Sequence, residues 1–130
     1  MPMNVLWLQS GGCGGCSMSL LCADTPDLPA TLQGLGLNLL WHPSLSLASG
    51  QAVLAMLDDL VTGRQRLDVL CVEGAVLRGP HGSGRFHMLA GTGLPMMTWI
   101  ERLAGVAGLV AAVGSCAAWG GVCAGGDNAT

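Results

Sequence analysis

Two cysteines, Cys13 and Cys16, stand among four glycines in the run Val5-Leu6-Trp7-Leu8-Gln9-Ser10-Gly11-Gly12-Cys13-Gly14-Gly15-Cys16, where an apolar strand empties into a turn just before a helix. Glycine at these positions lets the backbone take positive φ and approach a bulky group, while the first amides of the helix face an anion. Thiolates held in such a turn are stabilised as ligands. The C-x-x-C spacing alone leaves zinc, a redox disulfide and iron–sulfur chemistry open. Further candidates lie downstream: Glu73-Gly74 offers a carboxylate, and Gly114-Ser115-Cys116 and Cys123 offer more thiols.

Elements that could bring these groups together are legible in the hydrophobic pattern. Strands are expected at residues 3–8, 37–42, 67–73 and 109–113, the third as an almost continuous apolar run of the kind covered on both faces. Helices are expected at 16–23, ended by the Asp24-Thr25-Pro26-Asp27 turn, at 49–62 and at 95–105. In the second helix Val53, Leu57, Leu60 and Val61 share one face, with Asp58 and Asp59 on the other. Pro95 suits the first position of the third, after a long Gly-rich loop over 74–93. Strands alternating with helices predict a single α/β domain, a doubly wound parallel sheet of flavodoxin-like type. Right-handed crossovers place every strand's carboxyl end on one edge, where such sheets bind ligands. Cys13, Cys16, Glu73 and Cys116 all follow strand ends, so their convergence favours a metal cluster. Iron–sulfur is preferred to zinc because Cys116 and Cys123 do not form a second close pair.

Composition narrows the function classes. Charged residues make up only 10% of the 130, against roughly a quarter in ordinary domains. Mean hydropathy is +0.55, so a partner is expected to cover part of the surface. There is no lysine, and Arg64, Arg66, Arg78, Arg85 and Arg102 are scattered, which leaves no basic footprint for nucleic acid. The first residues show no secretory signal, so six cysteines point to reduced thiols or metal ligation in the cytoplasm. Residues 103–126 carry no charge, but Gly114-Ser115-Cys116 and Gly120-Gly121 punctuate them as strand and loop, and no transmembrane segment is expected.

With these residues in view, the chain resembles the small subunit of nickel–iron hydrogenases in its N-terminal flavodoxin-like part. The likeness rests on Trp7-Leu8 before Cys13-Gly14-Gly15-Cys16-Ser17, on Val72-Glu73-Gly74, and on Gly114-Ser115-Cys116-Ala117-Ala118-Trp119-Gly120-Gly121, in that order along nearly the whole chain. It implies a proximal [4Fe–4S] cluster with Cys13, Cys16 and Cys116 among its ligands, beside the Ni–Fe centre of a hydrogenase large subunit that splits H2. The family's fourth ligand lies in a downstream Gly-Cys-Pro-Pro segment that this sequence does not contain. The resemblance therefore implies a small subunit cut short before its fourth ligand and its C-terminal cluster domain, with Cys123 the possible substitute. Oxygen-tolerant members carry two extra cysteines at positions matching Gly15 and Gly121, so an ordinary cubane is implied. Met18 stands where a glutamate is often found. The loop Leu77-Arg78-Gly79-Pro80-His81-Gly82 is most similar to the cytoplasmic hydrogen-sensing branch, which would add a regulatory or redox partner.

Rival readings are a complex I-type electron-transfer subunit, whose cluster turn carries adjacent cysteines, and a flavodoxin-like module holding FMN or zinc. Cys22 and Cys71 are expected as small buried hydrophobes, Trp41 as edge core, and Trp7 and Trp119 around the site or under the partner. His81 and His87 read as solvated loop side chains, and Gly79-Pro80-His81-Gly82-Ser83-Gly84 lacks the Lys-Ser/Thr of a phosphate loop. Glu73, at a strand end beside the cysteine turn, is a candidate for a polar role near the cluster or partner.

Overall fold

The computed structural model describes residues 1–127. Four parallel strands form its sheet: β1 (Met3–Gln9), β2 (Leu37–Trp41), β3 (Val69–Glu73) and, numbered here as β6, Leu109–Val113. Their order is β2-β1-β3-β6, the flavodoxin-like arrangement expected from the sequence.

Period-two alternation sends the two halves of each strand to opposite layers. Leu6 and Leu8 of β1 and Leu70 and Val72 of β3 meet the apolar faces of α3 (Gln51–Val61) and α4 (Met96–Val106) in the main core, with Val53, Leu57, Leu60, Met96, Ile100 and Leu103. Val5, Trp7 and Cys71 point the other way, into a cavity of about 180 Å³ closed by Leu20 of α1 (Gly15–Leu21) and Leu28 and Leu32 of α2 (Leu28–Gly34). Glu73 alternates onto that same layer.

Helix α2 lies where no element was expected from the sequence. Its signal is local: the Asp27 carboxylate caps the helix by accepting from the Ala30 amide at 2.9 Å, with Pro29 in the first turn. The glycine-rich loop holds a two-stranded antiparallel pair, β4 (Met88–Leu89) and β5 (Leu94–Pro95), and Pro95 precedes α4 as its cap rather than opening it. After β6 the chain forms α5 (Gly114–Trp119) and one 3-10 turn, Gly121–Ala124. The uncharged stretch 103–126 is thus divided among a helix end, a strand and two short turns, and among the described residues no helix is long and apolar enough to cross a membrane.

Cys71 is buried in β3 as expected, and burial pushes its thiol pKa up, which keeps it neutral and inert. Cys22 corrects the sequence reading: it follows the last turn of α1 and is exposed. Trp41 packs on the rim of the core and donates its indole N–H to Ala48 O.

Candidate metal centre

Register decides which groups meet. Gln9 pairs with Glu73, and Glu73 with Val113, so Ser10, Gly74 and Gly114 leave three neighbouring strands at one level. The strand ends are then tied across: Ser10 N–H donates to Glu73 O at 2.7 Å, and Gly11 and Ala75 exchange two backbone bonds at 2.8 Å. This crossing needs Gly74, whose φ is +89° and where a Cβ would sit 2.9–3.0 Å from the backbone of residues 10–12.

A shallow pocket opens at this edge, lined by Gly12, Cys13, Gly14, Gly15, Cys16, Glu73, Gly74 and Cys116. The three candidate thiols, from two stretches of chain, therefore border one volume. Cys13 is exposed, and Cys16 and Cys116 are half-buried. Their room is cut by glycine. A Cβ on Gly114 would overlap Cys16 Sγ, one on Gly121 would lie 2.7 Å from Cys116 Sγ, and one on Gly15 would lie 3.1 Å from Cys13 Sγ. The Gly15 amide donates to Cys13 Sγ, 3.4 Å away. Soft sulfur donors around a side-chain-free cradle fit an iron–sulfur group in chemistry and access. Among the described residues no group of three or more His, Cys, Asp or Glu side chains is gathered tightly enough for a single ion. Cys123 borders the adjacent hollow, which it shares with Ala75, Arg78 and Cys116.

Beneath the pocket lies a buried polar cluster that the sequence only half disclosed. Glu73 is 3% exposed. Its carboxylate accepts from Ser17 N–H at 3.0 Å, Ser17 Oγ–H at 2.5 Å, Trp7 Nε1–H at 3.0 Å and Gln9 Nε2–H at 3.3 Å. Burial alone would raise its pKa, but the Ser17, Trp7 and Gln9 donors outweigh burial and hold it below the usual glutamate value. His42, absent from the residues singled out in the sequence, completes the cluster at 1% exposure, with Nε2 3.0 Å from Ser17 Oγ. Its signal was its place at the end of the second strand, on the same sheet edge. Burial lowers the His42 pKa against the opposing pull of Glu73.

Both shifts have the same sign for stability. A lowered folded pKa means that the unfolded chain binds the proton first, so stability falls as pH drops below the unfolded values of 6.5 for His42 and 4.5 for Glu73. Thermal melts carried from above pH 6.5 to well below pH 4.5 are expected to show a falling Tm in two stages, the first starting below 6.5 and the second below 4.5. His42→Gln should remove the upper stage and leave the lower; an unchanged upper stage would show that His42 does not cause it.

Trp119 and the two loop histidines do not line the cysteine pocket. Trp119 is 83% exposed at the end of α5 and lies outside the hydrophobic core of the described residues. His81 is exposed, as read from the sequence, whereas His87 corrects that reading: it is half-buried, with Nδ1 3.5 Å from Ser10 Oγ.

The chain has counterparts in sequence and fold among known proteins. The family described as NADH ubiquinone oxidoreductase, 20 Kd subunit, matches residues 13–130. The F420 non-reducing hydrogenase II small subunit of Methanosarcina mazei is 33% identical over 92% of this chain and 33% of its own length. The Hydrogenase-2 small chain of Escherichia coli is 35% identical over 97% of this chain and 32% of its own. Among solved structures, the reduced, active Ni-Fe-Se hydrogenase of Desulfomicrobium baculatum superimposes with a TM-score of 0.83 at 32% identity, covering all of this chain and 48% of that one. The chain thus spans about a third of these curated relatives and about half of the solved chain.

Proposed function

This chain belongs to the NADH ubiquinone oxidoreductase 20 Kd subunit family, and from that premise we propose that it is the electron-transfer part of a hydrogenase small subunit. In this reading Cys13, Cys16 and Cys116 hold a proximal [4Fe–4S] cluster, next to a Ni–Fe centre in a partner large subunit where H2 is split. The observation that carries it is the meeting of these three thiols in one glycine-lined pocket at the carboxyl edge of the sheet. When bound, a cluster of this kind supplies one-electron transfer.

The chain's own residues do the holding. Cys13 comes from the turn before α1, Cys16 from the first turn of α1 and Cys116 from α5, and the Gly15 amide donates to the Cys13 sulfur. Cys123, across Cys116, is the candidate for a fourth ligand. Met18, Trp119 and Val122 expose large apolar side chains on the elements that carry the cysteines, a surface suited to the large subunit. The loop at 77–82 supports a place in the hydrogen-sensing branch, and with it a cytoplasmic location and a regulatory or redox partner as electron acceptor.

Anaerobic reconstitution of the chain with iron and sulfide, followed by its visible spectrum, tests the reading. A broad shoulder bleached by dithionite is expected, together with co-purification of the large subunit on co-expression. Sharp flavin bands, or bound zinc with no visible absorption, would replace it with a flavodoxin-like or zinc module.

A further inference from the structure

The buried cluster under the pocket has a fixed direction, and the direction can be read from its donors. The Ser44 amide donates to His42 Nδ1 at 3.0 Å. That nitrogen is therefore an acceptor, so the ring carries its proton on Nε2 and donates it to Ser17 Oγ, 3.0 Å away. Ser17 Oγ also accepts from Gln9 Nε2 at 3.1 Å. With both lone pairs taken, its single hydroxyl proton has one place to go, the Glu73 carboxylate. The reverse tautomer would set the Nδ1 proton against the Ser44 N–H. The imidazole is held in place by Trp7, whose ring centroid lies 5.1 Å away at a 42° tilt.

We propose that His42 is a positioning residue for the cysteine turn: it commits the Ser17 hydroxyl to Glu73, and so fixes the first turn of α1 and the Cys16 thiol beside it. Ser17 is the residue through which the force passes. Its backbone N–H and its side chain grip the two oxygens of one carboxylate, and that carboxylate is anchored in β3 and held again by Trp7 of β1. Residue 16 is thereby placed by the sheet rather than by a seven-residue helix that has no side-chain cap of its own. Supporting groups of this type govern how well a ligand meets its metal, so the role rests on Cys16 being a cluster ligand as proposed above.

The test uses the full chain and has one arm without the cluster. In the apo chain, alkylation of Cys16 by iodoacetamide is followed by mass spectrometry, with buried Cys71 as the internal check that the fold is intact. His42→Phe and Ser17→Ala should each speed Cys16 alkylation several-fold with Cys71 still protected. His42→Gln, whose amide nitrogen reaches where Nε2 sits, should restore the wild-type rate, and His42→Asn should not. The double variant Ser17→Ala/His42→Phe should be no worse than either single, since both break one chain of bonds. In the second arm, cluster retention against a chelator should fall by about tenfold or more in the same variants and recover in His42→Gln.

Wild-type Cys16 reactivity in His42→Phe, rescue by Asn but not Gln, or additive effects in the double variant would overturn the positioning role. If His42→Phe exposes Cys71, Ser17→Ala and His42→Gln decide the matter in its place. A wild-type chain that takes up no iron–sulfur cluster, yet shows the expected order of alkylation rates, would remove the proposed function and leave the positioning of Cys16 standing.

Discussion

Serine in place of Cys16 is expected to abolish iron–sulfur uptake, while serine in place of Cys71 leaves it at the wild-type level. Cys16 borders the pocket shared with Cys13 and Cys116, whereas Cys71 is buried in the middle of β3 with its thiol kept neutral. A cubane takes four protein thiolates, and three stand in this pocket, so the reconstituted chain should hold less than one cluster per molecule and lose one iron readily. Removing one of three ligands leaves too few to retain it. Cys13→Ser and Cys116→Ser should behave like Cys16→Ser, and Cys123→Ser decides whether that thiol completes the set. Iron and acid-labile sulfide per chain, with electron paramagnetic resonance of the reduced sample, give the answer. A full and stable four-iron cluster in Cys16→Ser would refute the ligand assignment.

Gly114→Ala should be nearly as damaging, and for a reason that can be isolated. Its φ of +83° is a conformation that costs an L-residue about 1–2 kcal/mol. Gly63 shares that strain at φ +79°, but a Cβ there meets nothing within 4 Å, whereas a Cβ on Gly114 would overlap Cys16 Sγ. Gly63→Ala and Gly114→Ala should therefore lower Tm by similar amounts, and only Gly114→Ala should lose the cluster. Equal cluster content in the two variants would show that Gly114 is needed for its backbone alone.

Much of the fold was legible because its signals are local and periodic. The apolar run of β3, the 3.6-residue spacing of Val53, Leu57 and Leu60, and the alternation along β1 each specify an element without help from elsewhere. Strand and helix in turn predict the parallel sheet, and the sheet predicts that Cys13, Cys16, Glu73 and Cys116 gather at one edge, where they are found. Helix α2 escaped because seven residues carry too little periodicity to outweigh the turn before them, although Asp27 and Pro29 mark its start. Cys22 was misjudged because a cysteine's type says how it would like to be buried, not whether the end of a short helix faces the core.

What the sequence determines by itself is the donor set, thiols among glycines at strand ends, since residue type and spacing suffice for that. The partnership of His42, Ser17 and Glu73 is decided only in three dimensions. Residues 17, 42 and 73 lie on a helix, beyond one strand and at the end of another, and no periodicity links them. They meet because the β2-β1-β3 order sets three carboxyl ends side by side. Alternation turns Glu73 toward α1, and once buried there a carboxylate persists only where enough donors converge to outweigh its desolvation.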